Sequence, residues 1–142
     1  MRTLLLPLVL AISPAALAQP LSTVAEQSGF VRTGRYAEVV QMCEAFAKAY
    51  PAAVHCIQFG TTPQGRPMKA LVASTSGALD PAAAREKGLP VVLIQGGIHA
   101  GEIDGKDAGF LVLRQMLDGQ AARGALDKVV LIFVPVFNVD GH

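Results

Sequence analysis

Two stretches of the chain are apolar without alternation, Val91 to Ile94 and Val129 to Val136, and between them the spacing of the apolar residues changes. Runs of this length and β-branched content read as strands covered on both faces, so strands are expected at Pro90 to Gly96 and at Lys128 to Phe137. After the first run, Ile103, Phe110 and Leu117 recur at seven-residue steps with Leu113 between them, while Lys106, Asp107, Arg114 and Asp118 lie off that stripe. This is the helical period. It predicts a helix from about Asp104 to Leu117 with Asp104 as its N-cap, Gly119 closing it, and Lys106 and Asp107 on a solvated face.

A strand, a helix and a second strand in succession make a βαβ unit, whose strands are expected to be parallel and adjacent. Both strands then deliver their C-terminal ends, Gly97-Ile98-His99 and Phe137-Asn138, to one edge of the sheet. Upstream, Thr33 is placed to cap a helix in which Val39, Met42 or Cys43, Phe46 and Tyr50 recur at three- and four-residue steps, and Pro51 ends it. Val54 to Phe59 and Pro67 to Ser74 read as strands joined by the turn-rich Gly60 to Arg66 segment, an antiparallel hairpin. Gly77 to Gly88, with Pro81 and a short Ala-rich piece, is expected to be a surface connection. The fold class is therefore α/β, a mixed sheet with an antiparallel N-terminal hairpin and a parallel βαβ unit.

Composition limits this picture to one domain at most: the chain has 142 residues, 51% of them hydrophobic and 16% charged. A formal charge of +1 offers no attraction for nucleic acid or an anionic membrane surface. Part of the apolar excess belongs to residues 1–18, where Arg2, the Leu4 to Ile12 run and Ala16-Leu17-Ala18 have the order of a secretory signal peptide cleaved before Gln19. No membrane anchor is expected after cleavage, and the protein is expected to be secreted or periplasmic in a bacterium. Residues 19–32 carry little periodicity and read as a lead-in segment. In an oxidising compartment Cys43 and Cys56 are either a helix-to-strand disulfide or two small buried hydrophobes.

The chemistry concentrates at His99 and Glu102, on the turn where the Val91 run ends and the following helix begins. Zinc takes neutral imidazole nitrogen and carboxylate oxygen, and a His and a Glu three residues apart across such a turn can converge on one point. The bland alternative is a turn closed by His99 with Glu102 favoured in the first helical turn by the helix dipole. His55 lies inside a strand and is not expected to ligate.

Four landmarks occur in a characteristic order: the helix ending at Tyr50-Pro51, the hairpin motif Gly60-x-Thr62-x-x-Gly65-Arg66-Pro67, strand-Gly97-x-His99-x-x-Glu102, and strand-x-Pro135-x-x-Asn138-x-Asp140-Gly141. In this order the chain resembles the N-terminal half of the catalytic domain of the M14 zinc carboxypeptidases, with residues 33–142 carrying the match. The resemblance implies Zn2+ as cofactor, His99 and Glu102 as two of its ligands, and a peptide or cell-wall peptide as substrate. It also implies that the third ligand and the general base lie beyond residue 142. This chain alone is then expected to be inactive and to leave its 129–136 strand open on one flank. Arg66, Asn138 and Asp140 are expected to hold loops, and His142 is a remote candidate for the third ligand. Gly101 stands where digestive members of the family carry a substrate-binding Arg, and Gln64 where Glu is usual. The turn without Arg permits a second reading, a zinc amidase or deacylase of N-acyl amino acids, and a third is a non-catalytic binding module that keeps the fold and lacks the chemistry. A dinucleotide site is a weaker reading, because Gly96-Gly97-x-x-x-Gly101 does not fit the Gly-x-Gly-x-x-Gly spacing and no partner acid is evident.

Overall fold

The computed structural model describes residues 21–142. The signal-peptide expectation for residues 1–18 lies outside them. The element order is α1 (Val24–Gln27), α2 (Tyr36–Ala49), β1 (Val54–Thr61), β2 (Pro67–Ala73), α3 (Pro81–Glu86), β3 (Val91–Gln95), α4 (Asp104–Leu117), a 3-10 turn at Ala125–Asp127 and β4 (Val130–Val134). One four-stranded sheet has the order β1-β2-β4-β3. The β1–β2 and β2–β4 pairs are antiparallel and the β3–β4 pair is parallel, as the hairpin and the βαβ unit require.

The main core lies on one sheet face. Val39, Met42, Cys43 and Phe46 of α2 and Phe110 and Leu113 of α4 pack against Leu71, Ala73, Leu131 and Phe133. Phe110 meets Phe133 edge-on at 5.4 Å between ring centroids, a favoured aromatic geometry. This contact explains a glycine in mid-helix: a Cβ on Gly109 would stand 2.1 Å from the Phe133 ring. A smaller cluster of Val72, Ala78, Ala84 and Val130 sits with α3 on the other face. Asp80 caps α3 by accepting from the backbone of Ala82 and Ala83 at 2.9 Å each, so the 77–88 connection contains its own helix. Cys43 and Cys56 form a disulfide that staples α2 to β1.

Several expectations are corrected. The lead-in segment contains α1, a helical turn held by a reciprocal capping box between Thr23 and Glu26. Arg35, not Thr33, occupies the N-cap of α2, because the Thr33 hydroxyl instead donates to Asp107 at 2.6 Å. At α4 the N-cap is Ile103, with Asp104 already in the first turn. Lys106 is fully buried rather than solvated. Its Nζ donates to Glu38 Oε2 at 2.8 Å and to the Gly34 carbonyl at 3.1 Å, because the 31–35 loop lies over the first turn of α4.

The sheet edge is also reversed from expectation. β4 has neighbours on both sides, while β3 pairs with β4 alone among the described strands. Val91, Val92, Leu93 and Ile94 are accordingly 41–56% exposed instead of buried. Among the described residues no helix is long and apolar enough to cross a membrane.

Candidate metal centre

Backbone bonds continue past the strand ends and fix the turn. Gly96 N donates to Val134 O at 2.8 Å, Phe137 N to Gly96 O at 3.0 Å and Asn138 N to Gly97 O at 2.9 Å. The segments after β3 and β4 therefore stay side by side, and His99 and Asn138 leave the same edge of the sheet. Close backbone contact at Gly96 makes this possible, since a Cβ there would lie 2.6 Å from the Pro135 carbonyl and 3.2 Å from the Gly105 carbonyl carbon. The start of α4 is thus seated directly on the end of β3.

On this turn His99 and Glu102 face each other. His99 Nδ1 is 2.9 Å from Glu102 Oε1, the second carboxylate oxygen accepts from the His99 backbone at 3.3 Å, and Glu102 N donates to His99 O at 3.3 Å. Both side chains are largely exposed, at 78% and 59%. Hydrogen bonds from the His99 ring and backbone hold the Glu102 carboxyl below its ordinary range. An imidazole nitrogen and a carboxylate oxygen on one turn are a donor pair that zinc takes, so the residues fit a metal ion in their chemistry. They supply two donors, and among the described residues no group of three His, Cys, Asp or Glu comes together to complete a site. His142 does not join the pair. It lines a cavity with Gly101 and Ile103, the two chain neighbours of Glu102, and burial followed by the Lys106 charge lowers its pKa.

The surrounding loops interlock. Arg66 Nη1 donates to the Val139 carbonyl at 3.1 Å, Gln64 N donates to Asp140 Oδ2 at 3.3 Å, and Gly141 N donates to Asn138 Oδ1 at 3.1 Å. Arg66 and Asp140 therefore tie the hairpin motif to the loop after β4, and Asn138 braces that loop internally. The group that sequence reasoning missed is the buried set beneath the turn, Lys106 with Glu38, Asp107 and Thr33. Nζ of Lys106 is also 2.8 Å from Asp107 Oδ1, a charge contact without hydrogen-bond geometry. A lysine off the apolar stripe carries no sign that a glycine-containing loop will cover it.

The family described as zinc carboxypeptidase matches residues 39–142. Among solved structures, carboxypeptidase A from Helicoverpa armigera superposes with a TM-score of 0.65 at 25% identity, over 76% of this chain and 25% of that one. Bovine thrombin-activatable fibrinolysis inhibitor, solved in complex with a tick carboxypeptidase inhibitor, superposes with a TM-score of 0.61 at 21% identity, over 78% of this chain and 32% of that one. The chain thus spans about a quarter to a third of the length of these structures. No curated protein matches it.

Proposed function

The chain belongs to the zinc carboxypeptidase family, and on that premise we propose that it is part of the catalytic domain of an exported zinc metallocarboxypeptidase that removes C-terminal residues from peptides or cell-wall peptides. The observation that carries this reading is the meeting of His99 Nδ1 and Glu102 Oε1 at 2.9 Å on a turn where β3 and β4 end together. In it, His99 contributes imidazole nitrogen and Glu102 contributes carboxylate oxygen to Zn2+. Bound there, the metal would supply Lewis acidity toward a substrate carbonyl and acidify a water.

The chain's own residues hold that turn in place. Gly96 admits the backbone of α4, the backbone bonds of Phe137 and Asn138 lock the edge, and the exposed faces of His99 and Glu102 leave room for an extended peptide. A third ligand and a general base are still required for hydrolysis. The reading assigns both to sequence outside these 142 residues, which the 25% share of the Helicoverpa armigera chain supports. The Cys43–Cys56 disulfide supports export, because such bonds persist in oxidising compartments.

One observation favours a second reading. Gly101, beside Glu102, brings no arginine to the turn, and a Cβ there would meet nothing within 4 Å, so this turn does not itself demand a substrate with a free carboxylate. That suits an amidase or deacylase of N-acyl amino acids. The two readings separate on three substrates offered to the whole protein: a peptide with a free C-terminus, its amide, and an N-acyl amino acid. A carboxypeptidase is expected to cleave the first and spare the second. Preferential cleavage of the N-acyl amino acid would move the assignment to the deacylase, and cleavage of none would leave a non-catalytic module.

A further inference from the structure

The segment that carries α1 is fastened to the rest of the chain chiefly through carboxylates. Arg114, in the last turn of α4, donates through Nη1 to the Leu21 carbonyl and to Glu26 Oε2 at 3.1 Å, and its Nη2 pairs with Glu26 Oε1. The same carboxylate accepts from the Thr23 backbone at 3.0 Å, which closes the capping box. Glu26 thus both starts the helical turn and anchors it. From α2, Glu38 Oε1 accepts from the Val24 backbone at 2.6 Å.

The apolar share of this attachment is small. Thr23 and Ala25 are buried and Leu21 packs partly against the main core, whereas α2 and α4 bury Val39, Phe46, Phe110 and Leu113 completely and need no carboxylate to do so. Gly29 and Phe30 follow α1, each with φ of +65°, a conformation that strains a residue carrying a Cβ. Beyond them the 31–35 loop has its own ties, from Thr33 to Asp107 and from Gly34 to Lys106, at the opposite end of α4. Two independently fastened pieces therefore meet at Gly29 and Phe30.

We infer that α1 is an acid-released strap: protonation of Glu26 detaches residues 21–28 from the last turn of α4, with Gly29 and Phe30 as the hinge, while α2, α4 and the sheet stay folded. A protonated carboxyl keeps no ion pair with the guanidinium, and its hydrogen bonds weaken from charge-assisted to neutral. A short segment with few buried apolar contacts can open by itself. The charged neighbours are Arg114 facing Glu26 from α4, Asp118 and Tyr50 acting in turn on Arg114, and Glu38 reaching Val24 from α2. Burial raises the Glu26 carboxyl, but the hydrogen bonds from Arg114 and Thr23 and the Arg114 charge hold it below its ordinary value of 4.5. The strap is therefore seated at neutral pH and leaves as pH falls through the folded-state value, below 4.5. Neither the zinc turn nor the peptidase reading enters this inference.

Amide hydrogen exchange of the whole protein, read by mass spectrometry from about pH 7 to about pH 3 and corrected for the intrinsic pH dependence of exchange, tests it. Residues 21–30 are expected to lose protection about tenfold across this range while α2 and α4 keep theirs. Glu26→Gln removes the titrating charge, so its strap is expected to exchange fast and to the same extent at every pH. Asp118→Asn leaves the pair of Glu26 and Arg114 in place and is expected to keep the parent's pH response. The inference is overturned if protection of residues 21–30 persists at the lowest pH, is lost only together with that of α2 and α4, is absent at every pH in the parent, or responds to pH in Glu26→Gln as it does in the parent.

Discussion

Lys106 shows most clearly how one residue organises the neighbourhood of the turn. Its ammonium has no exposed surface and is held by Glu38, Asp107 and the Gly34 carbonyl. Removing one partner of such a pair leaves a buried charge unanswered, so Lys106→Met is expected to lower stability by about 3 kcal/mol. Adding Glu38→Gln to that variant is expected to recover part of the loss, and urea denaturation of both measures it. Glu26 offers a titratable counterpart. Burial alone would raise its pKa, but hydrogen bonds from Arg114 and the Thr23 backbone, together with the Arg114 charge, outweigh burial and lower it below 4.5. The sign follows from that direction. A depressed folded-state pKa stabilises the protein above the unfolded value near 4.5, and this contribution is lost as pH falls through the folded value. Acid unfolding followed by circular dichroism is therefore expected to shift toward neutral pH in Arg114→Ala.

At the scale of elements, what was legible in the sequence depended on whether one period dominated. The seven-residue spacing of Ile103, Phe110 and Leu117 marks α4 with bounds that match Asp104–Leu117. The turn-rich segment between two short apolar runs marks the hairpin. α1 is four residues long, and only its Thr23-x-x-Glu26 capping box could have revealed it. The glycines inside α4 were not explicable from the sequence, because what they accommodate comes from other strands. Gly109→Ala tests this for one of them. Alanine has the better helix propensity by about 1 kcal/mol, yet the clash with Phe133 is expected to make the variant less stable by about 2 kcal/mol in thermal or urea unfolding.

For the whole molecule, the sheet order could not be read from hydrophobicity. Two equally apolar strands look alike in sequence, but β2 takes the free side of β4 and leaves β3 at the edge with Val91 to Ile94 exposed. The direction of the strands was legible, because a βαβ connection leaves little choice, and that direction brings His99 and Glu102 to the same edge as Asn138. The same topology accounts for what the pair lacks: two donors meet on one turn, and no third joins them among the described residues. The loop that covers Lys106 comes from residues distant in sequence, so the burial of this lysine was invisible until the fold was known.

The most direct measurement is calorimetric titration of Zn2+ into the chain and into its His99→Ala variant, with Glu102→Gln as a second control. The expected result is weak binding of one ion by the parent, about tenfold or more weaker in each variant, because a two-donor site loses half its protein ligands with either change. Equal affinity of the parent and both variants for zinc would contradict the assignment of His99 and Glu102 as metal ligands.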